Sequence, residues 1–129
     1  MILTTKKQRP FCRSVRLMNE YTVDLPLWPT GERTGSDDAF VRDVMSRLTH
    51  RLQKSVRAVA RRFQAHFNWD SGWDDPAIEV MHCRHMHSTF RRLKEQLGPE
   101  WEVTMDLWEC SAEVQRNVEL GLLRPPQTA

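Results

Sequence analysis

Two long apolar stripes separated by a single break run from Val41 to Leu97, and this pattern restricts the fold more than any other feature of the chain. Val41, Met45, Leu48, Leu52, Val56, Val59, Phe63 and Phe67 recur at three- and four-residue steps, the spacing that puts side chains on one face of an α-helix. Ser36 or Asp37 supplies a capping oxygen, and Asp37, Asp38 and Asp43 fall near the positive end of the helix dipole. The spacing therefore predicts one continuous helix from about residue 37 to Asn68. Trp69-Asp70-Ser71-Gly72-Trp73-Asp74 interrupts it, with Gly72 suited to a left-handed turn position, Asp74 or Asp75 to capping, and Pro76 to a first helical turn. The second stripe, Ile78, His82, Met86, Phe90, Leu93 and Leu97, stops at Gly98-Pro99. So short a link makes the two helices an antiparallel hairpin.

Strand patterns flank this hairpin. Val15, Leu17, Tyr21 and Val23 alternate with polar residues, as do Trp101, Val103, Met105 and Leu107, and period two is the signature of a half-buried strand. Pro26 and Pro29 should end the first strand near Leu25-Pro26-Leu27-Trp28-Pro29 because proline removes a ladder donor. The fold class read from this order is α+β: strand, helix, helix, strand, with the hairpin packed on a small antiparallel sheet. Two strands alone are marginal, so the C-terminal segment or a second copy of the chain, as a homodimer, should complete the sheet. Val114, Val118, Leu120 and Leu122 suit a last short helix over 111–123. The expected organisation is a flexible leader at 1–13, one α+β domain at 14–123, and a flexible tail at 124–129 after Pro125-Pro126.

Composition narrows function mostly by exclusion. A net charge of +2 is too small to argue for nucleic acid or a membrane by itself, and no window approaches the ~18 apolar residues of a spanning helix. Residues 1 to 10 offer no apolar signal region. Cys12, Cys83 and Cys110 are odd in number, widely spaced and without a CxxC pair, which disfavours both a disulfide framework and a zinc knuckle. The expected setting is a reducing cytoplasm. Fifteen of the nineteen basic residues are Arg, which reads first as the codon usage of a GC-rich genome.

Leu27-Trp28, Leu48 and Leu52 in a long helix, His66-Phe67, Gly72-Trp73-Asp74, Leu93, Leu97-Gly98-Pro99, Glu102-Val103 and Leu107-Trp108 occur in an order that resembles a group of small uncharacterised bacterial proteins from GC-rich genomes. The resemblance covers roughly residues 15 to 108. Gln96 stands where that group carries Glu before Leu-Gly-Pro. The shared motifs are structural punctuation, so the resemblance implies the architecture and no site residues. Some members look like companions of secreted toxins acting as immunity proteins, which implies a binding or inhibitor-like role here.

Four features are candidates for chemistry. Arg47, Arg51, Lys54, Arg57, Arg61 and Arg62 lie between Val44 and Asn68 without one acidic residue, and Arg47, Arg51, Lys54 and Arg61 share a face opposite the apolar stripe. Such a face suits an acidic protein partner or, as the weaker alternative because no recognition-helix pattern follows, nucleic-acid phosphates. It is also what an ordinary solvated helix looks like, its long stems covering the core edge. The acids Glu100, Glu102, Asp106, Glu109, Glu113 and Glu119 offer it internal neutralisation.

Cys83 and His87 stand at i and i+4 in the second helix and supply half of a metal site, with Cys110, Cys12, His50 and His66 as the other soft ligands; the simpler reading is solvated helix positions. The loop from Asn68 to Glu79 partly mimics a calcium loop but has Gly72 at position 5 and Trp73 at position 6, where a ligand and a glycine are required. Trp28, Trp69, Trp73, Trp101 and Trp108 all fall at element ends, where such rings close core edges or anchor interfaces. No phosphate loop, nucleophile elbow or HExxH is present, so the expectation is a non-enzymatic protein without a cofactor.

Overall fold

The computed structural model describes residues 13–31 and 35–123. The expected leader, apart from Arg13, and the expected tail lie outside the described residues. The elements are β1 (Ser14–Met18), β2 (Leu27–Pro29), α1 (Asp37–Ser46), α2 (His50–His66), β3 (Phe67–Asn68), β4 (Gly72–Trp73), α3 (Pro76–Leu97), β5 (Glu102–Asp106) and α4 (Ala112–Leu123). The fold is α+β, with the expected final helix in place as α4.

The hairpin of α2 and α3 forms as its punctuation predicts. Asp75 caps α3 by accepting from the Ala77 N–H, Pro76 opens the helix, and Gly98 closes it at φ 89°. Gly72 turns the two-residue β3–β4 ribbon at φ 78°. Thr49 bonds Gln96 at one end of the helix pair and Arg62 bonds His85 farther along, so the two run antiparallel.

The single helix expected over 37–68 is instead two. Thr49 is extended (φ −61°, ψ 155°), its hydroxyl accepts from the Leu52 N–H, and its own N–H donates to Gln96 Oε1 of α3. Gln53 Nε2 donates to the carbonyls of Met45 and Leu48 at the break, the Met45 carbonyl also accepting from the Leu48 N–H. Leu48 and Leu52 are both buried across the break. The apolar stripe therefore continues while the backbone does not, which is why periodicity alone runs the two helices together.

The sheet departs from expectation in three ways. The first strand ends at Met18, not near Leu25-Pro26, because Asn19 to Pro26 form the turn into β2. Leu27–Pro29, read as the end of that strand, is a strand of its own, pairing antiparallel with β1 through Val15↔Pro29 and Leu17↔Leu27. It lies at the sheet edge, where proline is tolerated. This segment, rather than the C-terminal region or a second copy, supplies the third strand in the order β2-β1-β5. The first and last strands are parallel, not antiparallel, in the register Val15↔Val103 and Leu17↔Met105. The β1–β2 reversal adds one inversion of chain direction that a count of two helices omits.

Val15 and Leu17 from the sheet meet Val44, Leu52, Val56 and Val59 from α1 and α2, with Cys83, Met86 and Leu93 from α3, in one buried cluster. Fully burying a side chain of this kind contributes about 1.5–3 kcal/mol, so this shared cluster is what holds the hairpin on the sheet. Among the described residues no helix is long and apolar enough to cross a membrane.

Candidate functional site

The basic stretch divides between two helices. Arg51, Lys54, Arg57 and Arg61 are exposed on α2, on the side away from Leu52, Val56, Val59 and Phe63. Among the described residues none of these four has a carboxylate within 4.0 Å. Arg47 belongs to the end of α1, where it pairs with Asp43 at 3.3 Å and lies 5.3 Å from the centre of the Trp101 ring. Arg62 turns inward and donates to Nδ1 of His85 at 3.0 Å. Of the C-terminal acids, Glu100 pairs with Arg13 and Glu109 is buried against His82, and among the described residues none lies within 4.0 Å of the four exposed α2 cations. Arg57 borders two grooves of about 460 Å³ each. One has an apolar floor of Leu25, Leu27, Trp28, Val41 and Met45, and the other runs beside Arg61 and Gln64.

A second constellation lies in the interior, and sequence reasoning missed its members Asn19 and Glu109. His82 Nε2 is 2.8 Å from Glu109 Oε2, and neither side chain touches solvent. Asn19 Nδ2 donates to the same carboxylate oxygen at 2.9 Å. Two indoles hold the backbone around it: Trp73 Nε1 donates to the Glu109 carbonyl and Trp108 Nε1 to the Asn19 carbonyl, each at 2.8 Å. Asn19 Oδ1, His82 Nδ1 and Glu109 Oε1 are buried without a hydrogen-bond partner among the described residues.

Cys83 and Cys110 adjoin this group as free, buried thiols. Their mutual hydrogen bond, with burial adding to it, holds the Cys110 thiol far above the ordinary range, and the same bond pulls Cys83 down against desolvation. His87, the partner expected for Cys83, is half-buried, and burial pushes its pKa down. Among the described residues the ligand set that converges is His82, Glu109 and Cys110, whose donor atoms all lie within 4.8 Å of one another.

The aromatic positions separate in the same way. Trp28, Trp73 and Trp108 each donate their indole N–H to a loop or strand-end carbonyl, and Trp101 is buried. Trp69, at the β3–β4 turn, is 79% exposed. The calcium-like loop is this turn, in which Asp74 pairs with His66 and Asp75 caps α3.

A family model described as Serratia CdiI immunity protein-like matches residues 13–106. The chain belongs to that family. The match to the Serratia CdiI immunity protein-like family takes in β1 through β5, and with them the basic face, Asn19, His82 and Cys83. Glu109 and Cys110 lie just beyond it, so the buried cluster joins residues of the matched region to the segment that follows. No curated protein matches the chain.

Proposed function

We propose that this protein is an immunity protein, which binds a cognate protein toxin in the cytoplasm and blocks it by occupying its surface rather than by catalysis. Membership of the Serratia CdiI immunity protein-like family over residues 13–106 is the observation that carries this reading. The docking surface is the outer face of α2, with Arg51, Lys54, Arg57 and Arg61 at its centre and Arg47 at its flank. Four exposed cations without ionic partners among the described residues repel one another in the free protein and gain from an acidic surface, which favours fast, salt-sensitive association.

The test looks for a toxin gene beside this one and pairs the chain with the toxin domain found there. Co-expression should restore growth to cells making the toxin, and the two proteins should copurify without nucleic acid. Replacing Arg51, Arg57 and Arg61 together by Glu should leave the fold intact and slow association by about 10-fold or more, since electrostatic steering contributes factors of that order. Failure to protect against or bind the neighbouring toxin would overturn the immunity reading. Unchanged association in the triple variant would move the interface off α2, and salt-dependent retention on DNA that is lost in the variant would assign the face to phosphates.

A further inference from the structure

Two adjacent pairs of residues face each other across the interior: His82 and Cys83 on α3, Glu109 and Cys110 on the turn that leads into α4. Imidazole, carboxylate and one thiol already stand within 4.8 Å of one another, and the second thiol, free and buried, is close enough to the first to shift its pKa. Nitrogen, oxygen and two sulfurs make the mixed donor set that tetrahedral Zn²⁺ takes at about 2.0–2.3 Å. Soft thiolates disfavour the hard cations Mg²⁺ and Ca²⁺.

A buried hydrogen bond between His82 and Glu109 by itself leaves part of this arrangement unaccounted for. Among the described residues His82 Nδ1, Glu109 Oε1 and Asn19 Oδ1 are buried without a hydrogen-bond partner, and a cluster of orphaned polar atoms calls for an explanation, of which a bound ion is one. Asn19 meanwhile holds Glu109 Oε2 from outside the donor set, as second-layer partners of metal ligands do.

We infer that His82, Glu109, Cys110 and Cys83 form a zinc-class metal site that ties α3 to the start of α4. Coordination exchanges the two thiol protons, which pass to buffer, for one divalent ion, and the neutral His82 imidazole that binds through one ring nitrogen keeps its N–H on the other. Because the site closes over α4, its consequence is structural: a pinned C-terminal helix.

The test uses the full chain, stripped with a chelator and kept reduced, with Co²⁺ as the probe. One equivalent should give the visible bands of tetrahedral cobalt together with a thiolate charge-transfer band, both displaced by Zn²⁺, and added Zn²⁺ should raise the melting temperature. The bands should vanish in Cys110→Ser and persist in Cys12→Ser and His87→Asn, while Asn19→Ala should weaken binding by about 10–100-fold. If Cys110→Ser does not fold, X-ray absorption at the zinc edge of the wild-type chain decides: two sulfur ligands with nitrogen and oxygen are expected. An unchanged aqueous cobalt spectrum in the folded, reduced chain, a signal that follows Cys12 or His87, or a zinc shell without sulfur would each overturn the site.

Discussion

His82 Nε2 and Glu109 Oε2 lie 2.8 Å apart with both side chains fully shielded from water. The two residues are 27 positions apart in the chain and belong to different elements, so this contact fastens the turn before α4 to the hairpin. Truncating one member leaves the other buried without its partner. Glu109→Ala should therefore destabilise the metal-free fold by about 3–5 kcal/mol, read from urea unfolding midpoints. The double variant with His82→Ala should cost less than the sum of the two single ones, because the second truncation removes the orphan that the first creates. Strict additivity would show that the contact contributes nothing of its own.

Gly98 ends α3 at φ 89° and ψ 176°, a region that only glycine enters freely. A β-carbon there meets no atom within 4 Å, so the cost of Gly98→Ala is backbone strain alone. It should amount to about 1–3 kcal/mol, with the α2–α3 packing unchanged by circular dichroism.

Thr49 should matter more than its exposed position suggests. Its hydroxyl caps α2 and accepts from Gln96 Nε2, while its N–H donates to Gln96 Oε1. Loss of a helix cap costs about 0.5–2 kcal/mol, and Thr49→Ala also removes one arm of the α2–α3 clasp. Thr49→Ser, which keeps the oxygen, should recover most of that loss. Equal unfolding midpoints for the Ala and Ser variants would argue against the cap as the cause.

The described fold should weaken in mild acid through His85. Burial first, and then the charge of Arg62, push its pKa below the ordinary histidine value, and the Arg62 N–H donates to Nδ1, which requires that atom to be unprotonated. The unfolded chain then binds a proton that the folded chain refuses. The stabilising contribution is complete above about pH 6.5 and is lost as pH falls from there through the lower folded value. His85→Asn, which keeps an acceptor for Arg62, should flatten the fall in urea midpoint between about pH 7 and 5. His87, lowered by burial, should add to the effect in the same direction.

The outer α2 face was legible in the sequence because exposed charges opposite an apolar stripe follow from helix geometry alone. The buried cluster was not. Glu109 read as one more solvated acid in an acidic C-terminal stretch, since carboxylates are rarely fully buried unless paired. The partners that allow its burial, His82 and Asn19, are 27 and 90 positions away. A signal was present only in its neighbours, Trp108 and Cys110, residue types that often line cores. His82 did fall on the predicted core stripe, where an imidazole calls for a polar partner that local pattern cannot name.

By itself the sequence determined that a helix hairpin forms, where α1 starts, and where the hairpin turns and stops. Ser36, Asp75, Pro76, Gly72 and Gly98 act within a few residues through capping bonds and backbone conformation, and no distant partner is needed for them to do so. Tertiary structure alone decided the parallel pairing of β1 with β5, the break at Thr49, and the meeting of Asn19, His82 and Glu109. Each of these depends on which segments the packed core brings together. A one-residue change in how α3 sits against the sheet would alter these partners while leaving every local capping and turn signal intact.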